Sequence, residues 1–376
     1  MNRSKRNRES GLSLIELMVA VAISLVILAA LVALFVNTSR SNREFARANS
    51  MIENGRLAVQ VLENDVIHAG YWGTYVPDFD DQTTAAVPDD VPTGIPDPCL
   101  AYNPANWTDD YIDNLIGMPI QVYDDATVCA GIVTDRLAGT DVLIVRHLEP
   151  CVPGTPPNCE APVAGRLYFQ STLCLTDVGE RVLSDNAAAF TLLRRQCDTP
   201  AETRRFMSSI YYVRDFAVTA GDGIPTLMRS QFDLLPSGVL EHQPAVPLIE
   251  GIEGFRVELG VDDLSETGAA VDFTEAVVWA DPETRTTAIN RGDGVPDDAF
   301  LSCTTAAPCS ADALMNLTAV KFYVLARGRE ASQGHTDTKT YDLGTTTLGP
   351  FNDAFQRHVF MTTVRLPNIS GRRLTP

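Results

Sequence analysis

GLSLIELMVAVAISLVILAALVALFV, residues Gly11 to Val36, is apolar along almost its whole length. An α-helix rises about 1.5 Å per residue, so a run of this length can cross a bilayer core of roughly 30 Å. One carboxylate, that of Glu16, lies near the start of the run. A charge in hydrocarbon is costly and usually marks function. The stretch therefore predicts a membrane-spanning helix with a functional acidic residue.

The polar leader MNRSKRNRES precedes this run and carries four basic residues. A secretory signal peptide has a similar positive start, but its apolar region is only about 7–15 residues and a small-residue cleavage site follows it. Here the apolar run is longer, and no clear site of that kind closes it before Asn37. An ordinary transmembrane anchor with a chance Glu16 is the other alternative.

Gly11, four mostly apolar residues, Glu16 and an unbroken apolar helix together resemble the class III signal of type IV prepilins. The resemblance implies that a membrane prepilin peptidase cuts after Gly11 and that the new N-terminal residue, Leu12, is methylated. It also implies that Glu16 pairs with the N-terminal amine of a neighbouring subunit. The charges agree with this, because a carboxylate in hydrocarbon is tolerable when it meets an opposite charge.

The chain has 376 residues and a formal net charge of −19. The leader contributes +3 (four Arg and Lys against Glu9), so the chain from Leu12 onward carries −19 − 3 = −22. Such an acidic body argues against nucleic-acid or anionic-lipid binding. The positive leader predicts a cytoplasmic N-terminus and a body outside the inner membrane, although three arginines just beyond the helix weaken the rule.

All eight cysteines follow the apolar helix, and an even number in an oxidising compartment predicts disulfides. Many pairings are open, and our expectation joins neighbours in sequence. The expected pairs are Cys99–Cys129, Cys151–Cys159, Cys174–Cys197 and Cys303–Cys309. A zinc site is the alternative, but the sequence contains no CxxC.

After Val36 the sequence turns polar but keeps helical periodicity, with a stripe of apolar residues up to Gly70. The predicted segments are a prepilin leader (1–11), a transmembrane or filament-core helix (12–36), an amphipathic continuation (37–70) and a periplasmic body (71–376). The predicted apolar stripe comprises Phe45, Ala48, Met51, Ile52, Leu57, Ala58, Val59, Leu62 and Val66.

Beyond residue 71 a loop-like stretch rich in Pro, Asp and Gly leads into short strand-like runs separated by turn residues. Short helices are expected at Thr108–Ile116 and Ser310–Asn316. The predicted fold class is α+β, with a long N-terminal pilin-like helix packed on a large antiparallel β-rich body that has disulfide-bonded loops. The predicted strands are Asp141–His147, Arg166–Gln170, Ser209–Arg214, Val246–Ile249, Gly254–Val261, Ala319–Ala326 and Arg357–Val364.

The body itself resembles PilW-type minor pilins. The resemblance lies in four segments in this order: SSIYYVRD (208–215), LIEGIEGFRVELGVD (248–262), VKFYVLARGRE (320–330) and TTVRLPNISGRR (362–373). Residues from roughly 75 to 205 carry no such signature. The resemblance implies an assembly role, with other minor pilins, the major pilin, a tip adhesin and the inner-membrane assembly platform as partners. In the first strand, Tyr211 and Val213 are expected to face one side and Tyr212 and Arg214 the other.

One stretch has the composition of a calcium loop, since it places oxygen-bearing side chains around a glycine turn. Its candidate ligands are Asn290, Asp293, Asp297 and Asp298. The EF-hand pattern is not met, because Ala288 stands two positions before Asn290 and no Glu closes the loop. A solvated Asp/Gly turn is the alternative interpretation, and no other cofactor is expected.

Catalytic signatures are missing from the sequence. The five histidines are scattered, and HExxH, GxSxG and GxxxxGK[ST] do not occur. The sequence therefore favours a structural and assembly protein, a minor pilin placed at or near a filament tip. Two alternatives remain open at this point: a pseudopilin of a type II secretion system, and a membrane-anchored periplasmic binding protein or enzyme.

Overall fold

The computed structural model describes residues 13–125, 127–155, 159–177 and 179–373. Gly11 and Leu12, the predicted cleavage and methylation positions, lie outside the described residues. The chain divides into two compact units, residues 1–50 and 51–376. The predicted segment boundaries at 36/37 and 70/71 stay predictions.

Helix α1 spans Leu14–Val66, within the two helical segments predicted for residues 12–70. Within the first unit its large apolar side chains are exposed, from Leu14 to Phe45. This helix is long and apolar enough to cross a membrane, by length and composition. Exposed apolar side chains of this kind need lipid or other subunits around them.

In the second unit, the last turns of α1 bury one narrow face. Its buried residues recur every three or four positions, as the helical period requires. They are Met51, Gly55, Ala58, Leu62 and Val66. The predicted stripe was too wide, because Leu57 is exposed and Ile52 and Val59 are only half-buried.

Short helices flank the strands of the body: α2 (Asp109–Gly117), α3 (Ala311–Met315) and α4 (Pro367–Arg373). The strands are β1 (Ile120–Tyr123), β2 (Val142–Leu148), β3 (Tyr168–Ser171), β4 (Arg181–Ser184), β5 (Thr203–Arg214), β6 (Thr226–Leu234), β7 (Leu240–His242), β8 (Val246–Glu250), β9 (Ile252–Val261), β10 (Leu317–Arg327), β11 (Tyr341–Leu343), β12 (Thr346–Leu348) and β13 (Arg357–Arg365).

The named strands pair antiparallel throughout and form three sheets. The largest has eight strands; it runs β1-β2-β5-β3-β4, and β6 joins β5 to β7 and β8. The second runs β13-β10-β9, and the third is the hairpin β11–β12. One core cluster contains the buried face of α1, the apolar residues of β9 and β10, and Tyr211 and Val213 of β5. Tyr212 lies in a separate cluster, so the predicted alternation along β5 is confirmed.

All seven predicted strands and both predicted short helices coincide with observed elements. The strand β5 begins at Thr203 rather than Ser209, because its residues 203–205 pair with β3. The prediction missed β6, whose centre is polar: its buried Ser230 hydroxyl donates to the carbonyl of Gln243 at 2.5 Å.

Four disulfides join the eight cysteines in the same pairs that the sequence predicted. Their Cα–Cα distances of 5.1–5.7 Å are ordinary for the bond. Each bridge links residues that are near in sequence, at separations of 6 to 30. The disulfides therefore fix local loops of the body and do not tie its distant parts together.

Gly55 is a point of close approach between α1 and β13. A Cβ atom at this position would overlap the ring of Phe360 on β13. Glycine inside a helix costs about 0.5–1 kcal/mol relative to alanine, so a close packing contact accounts for its presence.

We expect Gly55→Leu to lower the free energy of unfolding by about 1–3 kcal/mol through overpacking. Urea unfolding of the full chain, with and without Phe360→Ala, measures the effect. Because Phe360→Ala removes the overlapping ring, the double variant should recover part of the loss. Equal losses in the single variant Gly55→Leu and in the double variant would show that the contact is not the cause.

Candidate functional site: the assembly signal and the motif cluster

Glu16 is hydrogen-bonded to Ser13 at the N-terminus of α1. The backbone N–H of Ser13 donates to Glu16 Oε2 at 2.8 Å, and the backbone N–H of Glu16 donates to Ser13 Oγ at 3.3 Å. This reciprocal pair is a capping box, in which two otherwise unpaired backbone donors are satisfied. The S-x-x-E spacing of Ser13 and Glu16 is the sequence signature of a capping box, so this contact could have been predicted from the sequence. Glu16 therefore has a structural task inside its own chain besides the docking role that remains a prediction.

The YYVRD strand is attached to α1 through a buried polar contact. Asp65 on the last turns of α1 accepts a hydrogen bond from the Tyr211 hydroxyl at 2.9 Å and contacts His147 Nε2 at 3.0 Å. His147 Nδ1 faces the carbonyl of Leu148 at 2.8 Å. Both ring nitrogens of His147 therefore face oxygen acceptors, one a carbonyl and the other the carboxylate of Asp65.

Burial raises the pKa of Asp65, but the hydrogen bond and charge of His147 together with the Tyr211 and Ser209 hydroxyls lower it more. The net result is a pKa below the ordinary value for aspartate. An acid with a lowered folded-state pKa stabilises the fold above its unfolded pKa of about 3.9, and that stabilisation is lost as the pH falls through the folded-state pKa.

We therefore expect Asp65→Asn to lower the free energy of unfolding by about 1.5–3 kcal/mol at pH 6, the value of hydrogen bonds to a charged group. The gap between wild type and variant should shrink as the pH falls below about 4. Urea unfolding at a series of pH values measures it. Tyr211→Phe is the matched comparison, because it removes only one of the hydrogen bonds that lower the pKa of Asp65, so its gap should shrink over the same pH range but by less. A gap for Asp65→Asn that stays constant with pH would contradict the assignment.

The C-terminal motif LPNISGRR holds the segment that directly follows α1. Carbonyls in the last turn of α1 are bonded locally, by the N–H groups of residues 67–69. Asn368 of α4 donates to the carbonyls of Ile67 and Ala69 at 3.2 and 3.3 Å. Arg372 donates to the carbonyl of Gly70 at 2.7 Å. The closing motif is thus attached to the residues just beyond α1.

A buried ion cluster joins three distant segments of the chain next to these contacts. Arg373 donates through Nε to Asp80 at 2.8 Å and through Nη1 to Asp262 at 3.1 Å. The side chains of Arg373, Asp80 and Asp262 are 3%, 2% and 0% exposed. Arg373 Nη2 also donates to the carbonyl of Met315 at 3.1 Å. Asp262, which ends the ELGVD motif, therefore meets the last arginine of the closing motif.

The Asn290–Asp298 turn is held by hydrogen bonds to other segments of the body. The Asp262 carboxylate accepts the backbone N–H groups of Asp293 and Gly294 at 3.0 and 2.8 Å. The side chain of Asn290 bonds to the backbone of Val278 and Ala276. Gly294 has φ +83°, a conformation that favours glycine.

The calcium candidates in this turn are engaged separately. The Asp293 carboxylate accepts a hydrogen bond from the backbone N–H of Val295, and the Asp297 carboxylate accepts one from the backbone N–H of Leu264. Asp298 is exposed. Within the described residues, no group of three or more His, Cys, Asp or Glu side chains is arranged as a metal site. The calcium hypothesis stays a prediction.

Two models of known protein families match this chain, one at its N-terminal helix and one in the body. The prokaryotic N-terminal methylation motif matches residues 6–32, which include Gly11, Leu12 and Glu16. The family described as type IV pilus-assembly protein W (PilW) matches residues 210–368, from the YYVRD strand to Asn368. No curated protein matches the chain.

Among solved structures, the chain is similar to a type IV-like pilin from Thermus thermophilus, with a TM-score of 0.32 and 14% sequence identity over 85% of this chain and 97% of that one.

The contacts of Tyr211 with Asp65 and of Arg373 with Asp80 and Asp262 form what we call the motif cluster. Two of these residues, Asp65 and Asp80, were not predicted as site residues. No local pattern marks either one, since their partners lie far away in sequence. The N-terminal methylation motif lies at the start of an exposed apolar helix, and the PilW match covers strands that share a core with the last turns of that helix. The chain therefore combines an N-terminal methylation motif with a PilW domain over residues 210–368.

Proposed function

We propose that this chain acts in the initiation and assembly of the type IV pilus and stands at or near the filament tip. The observation that carries the proposal is the pairing of an N-terminal methylation motif with a PilW domain in one chain. The body has about 300 residues beyond the helix. A body of this size suits a subunit at the filament tip better than one that repeats along the filament.

In this proposal, α1 anchors the chain in the inner membrane as a single span, with the body in the periplasm. Prepilin peptidase removes the leader after Gly11, and the new amine at Leu12 is methylated. The subunit is then extracted into the growing filament, where its apolar helix packs against those of other pilins. Its partners are other minor pilins, the major pilin, a tip adhesin and the inner-membrane assembly platform.

The decisive measurement is the N-terminal mass of the protein purified from membranes of cells with an active prepilin peptidase. We expect a chain that begins at methylated Leu12. Replacing Gly11 with valine should leave most molecules with a leader of about 11 residues, because the peptidase cleaves beside a small residue. A wild-type chain that begins at Met1 would overturn the proposal.

Phenotype then separates the pilus from protein secretion. Deletion of the gene should abolish or strongly reduce surface pili and leave exported proteins unchanged. Blocked export with intact pili would instead assign the chain to a type II secretion system as a pseudopilin.

A further inference from the structure

A half-open cavity of about 320 Å³ lies in the body. Its floor is apolar: Trp72 and Leu148 are 1% exposed and Phe169 is 2% exposed. The indole nitrogen of Trp72 already donates to the carbonyl of Ile116 at 3.2 Å. This floor therefore needs no polar partner from a ligand, and the volume is at the lower end of ligand pockets, which measure about 300–1,000 Å³.

The rim of the cavity is cationic, although the chain as a whole is strongly acidic. Arg194, Arg195 and Arg204 line it together with one acid, Glu202. Arg194 and Arg204 share that single carboxylate, at 3.5 and 3.0 Å. Arg195 is exposed and forms no ion pair with any residue that the structure describes. Three positive charges face one negative charge, so the rim attracts an anion.

The cavity is held open by fixed parts of the chain. The Cys174–Cys197 disulfide closes the loop that carries Arg194 and Arg195. Arg204 lies over the ring of Tyr71 at 5.6 Å and donates to the carbonyl of Pro150. A site that is formed before binding loses less entropy when a ligand enters.

We propose that this cavity binds an amphiphilic carboxylate, with an alkyl or aryl group on the Trp72 and Phe169 floor and the carboxylate on Arg194 and Arg195. An apolar floor with a few polar groups at its mouth is the usual form of a small-ligand site, and arginine forks match carboxylate geometry. A free aliphatic acid and an acidic, apolar peptide end both have this chemistry. The proposal goes beyond pilus assembly and does not depend on it.

The first test uses the full-length chain in amphipol and the probe 4-phenylbutyrate, followed by tryptophan fluorescence and calorimetry. The uncharged 4-phenylbutanamide controls for partition into the amphipol. We expect 4-phenylbutyrate to bind saturably and about tenfold more tightly than the amide, because only the acid makes charge-assisted hydrogen bonds. Equal binding of the two compounds would overturn the proposal.

Variants then locate the site. Arg194→Gln/Arg195→Gln should weaken 4-phenylbutyrate binding about tenfold, since the charged partners are lost. Arg56→Gln, which changes an exposed arginine on α1, should leave it unchanged. Equal effects of the two variants would also overturn the proposal. Decanoate and N-acetyl-Leu-Asp-amide then distinguish the two sources: tighter binding of decanoate indicates a free acid, and tighter binding of the dipeptide indicates a peptide.

Discussion

Replacing Arg373 with methionine is expected to lower the free energy of unfolding by about 3–5 kcal/mol, the range for breaking a buried ion pair by removing one partner. Asp80 and Asp262 would remain buried, and each would lose its contact with Arg373. The carbonyl of Met315 would lose a donor as well. Urea or guanidinium unfolding of the full chain with its disulfides intact measures the loss.

Arg372→Met is the matched control for this variant. Arg372 also contacts Asp80, at 3.2 Å, but its side chain is 17% exposed and Asp80 keeps Arg373. Its loss should therefore be smaller, about 1.5–3 kcal/mol, the value for hydrogen bonds that involve a charged group, because the variant also loses the bond to the carbonyl of Gly70. The double variant Arg373→Met/Asp262→Asn should lose less free energy of unfolding than the sum of the losses in the two single variants. The effects of residues in one hydrogen-bonded network are not additive. Equal losses in the Arg372 and Arg373 variants would show that the cluster does not act as described.

The helices and most of the strands could be predicted because their signals are local. The apolar run and its periodic continuation predict α1, and alternation in GFRVELGV and AVKFYVLA predicts β9 and β10. The disulfide pairs followed sequence proximity. The PilW-like segments could be recognised in the sequence, but the contacts that they make could not be predicted from it.

The contacts that attach these segments to the rest of the body could not be predicted, because such contacts join residues far apart in sequence. Arg373 and Asp80 are separated by 293 positions, Arg373 and Asp262 by 111, and Tyr211 and Asp65 by 146. A single sequence contains no periodicity that links such positions. The structure shows that the first and last of the PilW-like segments both attach to the end of α1.

Replacing Glu16 with alanine is expected to leave the subunit inserted in the membrane but to remove it from filaments. In the proposed docking step, the Glu16 carboxylate pairs with the N-terminal amine of a neighbour in a medium without water. Removing one partner of such a pair costs about 3–5 kcal/mol, which lowers incorporation by more than about 100-fold. The amount of protein in sheared pilus fractions, relative to membranes, measures it.

The capping box complicates that result, because alanine removes both the charge and the hydrogen bond to Ser13. Glu16→Gln separates the two effects. A glutamine at this position still accepts the Ser13 N–H and keeps the capping box, but it offers no charge to an amine. Ser13→Ala makes the opposite change, since it removes one capping bond and keeps the carboxylate.

If charge pairing drives docking, Glu16→Gln should be excluded from filaments almost as strongly as Glu16→Ala, and Ser13→Ala should assemble nearly as well as wild type. If capping alone matters, the order reverses, because glutamine retains the cap and Ser13→Ala weakens it. A capping bond is worth only about 0.5–2 kcal/mol and lies at a frayed end, so the charge should dominate. Normal assembly of Glu16→Gln would therefore reduce Glu16 to a helix cap and remove the docking role from the proposed function.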